Sequence, residues 1–150
     1  MGNRTMPHEF AGRYKAKHPH GTQPAPHIAQ ALHQKVKDGR ISCAAAHMIA
    51  QELNESPKQV GQTTDLLEFR ISKCQLGLFG YGSKDNKVAP ARQIEPSLKK
   101  AIQNAIQEGN RLSCIVAWKI AETLDCKRME VSAACETLKI KIVSCQIGAF

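Results

Sequence analysis

The sequence predicts a mainly α fold with short β segments. It reads as two tandem three-helix modules behind a disordered basic N-terminal arm. Three observations carry this prediction. First, residues 40–79, "RISCAAAHMIAQELNESPKQVGQTTDLLEFRISKCQLGLF", align without a gap on residues 111–150, "RLSCIVAWKIAETLDCKRMEVSAACETLKIKIVSCQIGAF", and about a third of the positions are identical. Second, apolar residues recur every three to four positions through most of each copy, the period of a helix with one buried stripe. Third, the 150 residues carry a formal charge of +8 and are 42% hydrophobic, enough apolar content for a core with a cationic exterior.

The first predicted helix runs from Pro26 to Lys37. Ile28, Leu32 and Val36 mark its inner stripe, and Leu98, Ile102 and Ile106 repeat it in the second copy. Pro fits a helix start, and Gly39 and Gly109 supply the stop. Ser42 and Ser113 are N-cap residues for a second helix. Its inner face carries Ala46, Ile49, Ala50 and Leu53, matched by Ala117, Ile120, Ala121 and Leu124. A short turn, "NES" or "DCK", leads to a third helix. In copy one Ser56 is its N-cap and Pro57 opens its first turn, with Val60, Thr64 and Leu67 inward. The period then changes. "EFRIS" and "KIKIV" alternate apolar and polar residues, as strands do, and a shared stretch, "CQLG" or "CQIG", comes after each.

Two short helices joined tightly, the second after a third supporting helix, form the helix-turn-helix plan. Small Ala46 and Ala50 allow the close approach this plan needs. The pattern "SCAAAHMIAQELNESPKQVGQTTDLLE…LGLF" resembles the winged helix-turn-helix domains of bacterial regulators, with the flavour of the LysR and ModE types. The resemblance covers both repeats, about two thirds of the chain. The longer run between Leu67-Glu68 and Leu76-Gly77 departs from the pattern, and no second wing strand follows. The repeats are therefore degenerate winged-helix modules, and the resemblance implies a DNA-binding transcriptional regulator.

In helix-turn-helix proteins, residues near the start of the later helix touch base edges in the major groove. The corresponding outward positions in copy one are Lys58, Gln59, Gln62 and Thr63. Gln pairs with adenine bidentately, Lys reaches guanine or phosphate, and Thr offers both hydroxyl and methyl. Gly61 would let this helix lie close to the duplex. Copy two has Met129, Glu130, Ala133 and Ala134 at these places, with Lys127 and Arg128 at the helix start as phosphate ligands. Copy one is thus expected to read sequence, and copy two to add backbone contacts or dimer packing. The anticipated partner is double-stranded DNA, with a homodimer as one arrangement open to the chain.

The expected boundaries are a flexible basic arm over 1–25, repeat 1 over 26–80, a linker over 81–95 and repeat 2 over 96–150. Arg4, Arg13, Lys15 and Lys17 of the arm are candidates to track phosphates, with Phe10 and Tyr14 available to stack. Gly, Pro, Ser and Asn make the linker a flexible joint.

Six cysteines in a chain with no apolar signal segment are expected to be mostly thiols or metal ligands rather than disulfides. Cys43, Cys74, Cys114 and Cys145 are equivalent in the two copies and lie about thirty residues apart within each. That spacing is a poor match to zinc sites, and a small apolar core residue is the first reading. Cys126 and Cys135 occur only in copy two. The tail histidines His8, His18, His20 and His27 form a loose cluster, and His47 stands opposite Trp118, which argues for packing. No phosphate loop, paired nucleophile and base, or recurring carboxylate pair is present, so neither catalysis nor a cofactor is expected. No apolar stretch suits a membrane span, and a cytoplasmic location is expected. Two alternatives stay open: a protein–protein interaction adaptor, and a cysteine-based redox- or metal-responsive regulator.

Overall fold

The computed structural model describes residues 10–82 and 87–150. It is mainly α, with six α-helices and two pairs of short parallel strands, arranged as two similar halves. In chain order the elements are α1 (Pro26–Lys35), β1 (Arg40–Ser42), α2 (Cys43–Glu52), α3 (Pro57–Leu66) and β2 (Arg70–Ser72). The second half follows with α4 (Pro96–Ala105), β3 (Arg111–Ser113), α5 (Cys114–Thr123), α6 (Arg128–Leu138) and β4 (Lys141–Val143). No helix among the described residues is long and apolar enough to cross a membrane.

Each half is a strand–helix–helix–strand unit preceded by a helix. β1 pairs with β2 in parallel, with Ile41 opposite Ile71, and β3 pairs with β4, with Leu112 opposite Ile142. Parallel neighbours cannot be joined by a hairpin and need a crossover. Here the two tightly connected helices, α2–α3 or α5–α6, are that crossover. β1 and β3 were not foreseen from the sequence. Each is only three residues long, too short to show a period of two.

The helix boundaries follow local chemistry. The Ser42 and Ser56 hydroxyls accept hydrogen bonds of 3.1 Å from the Ala45 and Gln59 amides. Each satisfies one of the orphan donors of a first turn. Between α2 and α3, Asn54 adopts a left-handed conformation (φ 54°), and Asp125 does the same between α5 and α6 (φ 51°). Asn and Asp are the side chains best tolerated there after glycine. α1 stops at Lys35, two residues before the expected end, because Val36 is already extended.

The core of each half takes most of the predicted stripes, but Val36, Leu53, Ile106 and Leu124 are only half-buried, and Ile41 and Leu112 join from outside the stripes. Ile28, Leu32, Ile41, Ala46, Ile49, Ala50 and Val60 are buried in the first, and Leu98, Ile102, Leu112, Ala117, Ile120, Ala121 and Val131 in the second. A fully buried aliphatic side chain of this size contributes about 1.5–3 kcal/mol. Leu67, expected to face inward, is only half-buried, and its neighbour Leu66 is buried instead.

The compact units do not coincide with the sequence repeats. One unit takes the described residues up to Cys74 together with Gln146–Ala149; the other takes Gln75–Cys145 together with Phe150. Each repeat therefore sends its cysteine-glutamine turn into the other repeat's unit. In the first unit the third helix, α3, receives Ile147. A Cβ on Gly61 would overlap the Ile147 carbonyl oxygen, so only glycine admits this contact. In the second unit α6 receives Leu76, whose carbonyl accepts a 2.6 Å hydrogen bond from the buried Ser132 hydroxyl. Gly61 and Ser132 are equivalent positions, as are Leu76 and Ile147.

The N-terminal segment, expected to be disordered, is docked from Arg13 onward. Tyr14–Lys17 form a 3-10 turn, Tyr14 is buried, and the Glu68 carboxylate accepts hydrogen bonds of 2.7 Å from both the Tyr14 and Lys15 amides. A carboxylate on two consecutive free amides anchors a segment that lacks an apolar period. The described end of the linker is also seated: Ala91 donates to the Ala133 carbonyl (3.0 Å) and accepts from the Thr137 hydroxyl (2.6 Å) on α6.

Candidate nucleic-acid interface

The residues singled out on α3 divide by turn. Lys58 and Gln59, in the first turn, are exposed, and Gln62 is half-buried. Thr63 is only 2% exposed and cannot reach a base edge. The helix rotates 100° per residue, and from Val60 onward it is enclosed, Gln62 apart. α1 and α2 lie against it, with the 3-10 turn and Ile147 packed on it as well. Gly61 likewise serves the Ile147 backbone rather than close approach to a duplex.

Asp65 shows how firmly the later turns are covered. It is buried, with its carboxylate 2.8 Å from His18 Nε2 and 3.1 Å from Lys17 Nζ. Burial raises its pKa above the ordinary carboxylate value, opposed by the His18 hydrogen bond and the Lys17 charge. Lys17 also donates to the Gly148 carbonyl at 2.8 Å. Sequence reasoning assigned Lys17 to phosphate, whereas here it joins the N-terminal segment, α3 and the C-terminal turn. Of the other arm residues, Lys15 is exposed, and Arg13 lies with its guanidinium 4.9 Å from the Phe10 ring centre. Tyr14 is core rather than a stacking platform. Arg4 and His8 lie outside the described residues.

On the second half, Lys127 is exposed and its amide donates to the Glu130 carboxylate (3.1 Å) at the start of α6. Arg128 is committed internally. Its guanidinium carbon lies 3.6 Å from the centre of the Trp118 ring, and its Nη1 donates to Gln75 Oε1 at 3.0 Å. A guanidinium on an indole face gains a cation–π interaction, so Arg128 clamps the incoming turn of repeat 1 instead of standing ready for phosphate.

Sequence reasoning passed over a set of cations at the strand starts. In-register pairing sets Arg40 beside Arg70, and Arg111 beside Lys141. The signal was in the sequence, since the two Arg or Lys positions are shared by both copies, but it has no meaning until the strands are known to pair.

Cys43, Cys74, Cys114 and Cys135 are buried, while Cys126 and Cys145 are half-buried. Burial, with Glu136 nearby, pushes the Cys135 thiol up to about 12. Burial also raises Cys126, with Glu130 and Asp125 adding to the effect. Among the described residues no group of three or more His, Cys, Asp or Glu is placed to hold a metal. His27 meets Glu55 at 2.8 Å, and His47 is half-buried on α2. Comparison with family models, with curated proteins and with solved structures returned no match.

Proposed function

We propose that this chain is a DNA-binding regulator built from two degenerate winged helix-turn-helix modules. The first turn of α3 contacts base edges, and lysines and arginines contact phosphates. The observation that carries this reading is the exposure of Lys58 and Gln59 at the capped start of an otherwise enclosed helix. A recognition helix reads with its N-terminal residues, so enclosure of the later turns leaves the reading end available. The tight α2–α3 connection through left-handed Asn54 supports the helix-turn-helix assignment, and the +8 charge supports a polyanionic partner. In the second half the equivalent turn presents Lys127 and Glu130, a less favourable pair for bases, which favours a supporting role for that module.

The reading is tested by selecting preferred duplexes from a random pool with the wild-type chain and with a Lys58→Ala/Gln59→Ala variant. A motif enriched by the wild type and lost by the variant is expected. Enrichment of the same motif by both proteins would contradict the assignment of the reading turn. A second reading, a protein-interaction adaptor, is favoured by the exposed apolar Met48 on α2 and Ile115 on α5. It predicts no DNA affinity at moderate salt and indifference to the Lys58/Gln59 substitutions.

A further inference from the structure

We infer that the paired cations at the start of each parallel strand pair form a phosphodiester clamp, one in each compact unit. In the first unit the clamp is Arg40 and Arg70, with Lys37 beside it across the turn; in the second it is Arg111 and Lys141. The inference rests on the DNA reading above and supplies its phosphate contacts.

Arg40 and Arg70 are register partners, as are Arg111 and Lys141. Neighbouring strands lie about 4.8 Å apart and partners project to the same face. Like charges directly opposite one another weaken a strand pair. Each strand is only three residues long, so the repulsion is set against very few backbone hydrogen bonds. Stability alone would favour a neutral or acidic residue at one of the two places. Both repeats instead hold two cations there, although about two thirds of the aligned positions differ between the copies.

Arg40, Arg70 and Arg111 form no ion pair among the described residues. The carboxylate two residues before Arg70, Glu68, is occupied by the amides of Tyr14 and Lys15. Its counterpart in the second unit is Lys139, an exposed cation that extends the positive edge. Arg40 and Arg111 are exposed, while Arg70 and Lys141 are half-buried and hence partly desolvated. In the first unit, the tight turn through Asp38 and Gly39, both left-handed, brings the Lys37 backbone into a bridge with Arg40.

The chemistry selects the ligand. A guanidinium presents a planar fork of donors that matches two phosphate oxygens, and Arg is the residue suited to such bidentate contacts. Arg40 and Arg111 are exposed to water, so a single small anion would gain little there. A backbone of linked phosphates gains from both cations and from release of condensed counterions.

The test measures binding of the full chain to random-sequence duplex DNA over a series of salt concentrations. The proteins are wild type, Arg40→Gln/Arg70→Gln, Arg111→Gln/Lys141→Gln, and a control, Lys99→Gln/Lys100→Gln, which removes two exposed charges from α4. Each clamp variant is expected to lower the slope of log affinity against log salt by about 1–2, and more than the control does. Arg40→Gln/Arg70→Gln should melt at the same temperature as wild type or higher, because it relieves repulsion; this separates lost binding from lost folding. Should wild type bind while both clamp variants match the control, the clamp is overturned and the DNA reading stands. If wild type fails to bind at any salt, the reading and the clamp fall together. As an independent arm, inorganic phosphate should compete for the duplex only at concentrations where chloride of equal ionic strength competes as well. Selective competition by phosphate would assign the site to free anion and overturn the polymer assignment.

Discussion

On α3, Gly61 is the position against which the Ile147 backbone packs. A methyl group there would overlap the Ile147 carbonyl oxygen, which belongs to backbone and cannot rotate away. Gly61→Ala should therefore cost about 1–3 kcal/mol of stability, as overpacking does, read as a lower midpoint in urea unfolding; an unchanged midpoint would contradict the seating of the C-terminal turn. Asp65 makes a second prediction at this scale. Its folded pKa lies above the ordinary value of 3.8, with burial as the main cause. The native chain therefore binds a proton more readily than the unfolded chain between 3.8 and the raised value, so acidification through that window stabilises the fold. Relative to Asp65→Asn, the wild type should gain melting temperature as pH falls through the window and lose it as pH rises. A difference that shrinks on acidification would show that the Lys17 and His18 pairs outweigh burial. Cys135 gives a third. With its thiol pushed up to about 12 and its side chain buried, it should resist alkylation at pH 8 in the folded protein and react once urea unfolds it. Modification of the native protein at Cys135 would contradict the packing of α6.

At the scale of elements, the helices were legible because their stripes and caps are local. Ile28 and Leu32, Ala46 and Ala50, Ser42 and Ser56 can each be read within one turn of chain. The elements that were missed depend on distant partners. β1 is three residues that become a strand only beside β2, some thirty residues later. The Tyr14–Lys17 turn has no apolar rhythm and is fixed by Glu68, 54 residues away from Tyr14. Thr63 was placed outward by helical rotation, and that was defeated by cover from other parts of the chain that no periodicity on α3 reports. The first turn of α3 was legible as a candidate site because a cap, a proline and two polar residues stand together, whereas the strand-start cations needed the register. Ser132→Ala should reveal the seat on α6: it leaves the buried Leu76 carbonyl without its 2.6 Å donor. The expected loss is about 1–3 kcal/mol, measurable by urea unfolding, and no loss would mean that Leu76 finds another donor.

At the scale of the whole molecule, each compact unit draws residues from both copies of the duplicated sequence. The turn "CQLG" of one repeat and "CQIG" of the other are nearly the same sequence, and each is seated on the third helix of the opposite repeat. A cut in the linker accordingly separates segments that belong to the same unit. Both units also carry two paired cations at the strand starts, and the chain's net charge is +8. The central claim is that this charge and the exposed turn of α3 serve double-stranded DNA. The most direct measurement is a binding titration of the full chain on duplex DNA at several salt concentrations, followed by selection of the tightest sites. The account predicts affinity that falls linearly in log–log terms with salt, together with an enriched motif that depends on Lys58 and Gln59. Weak binding at low salt with no enriched motif would contradict it.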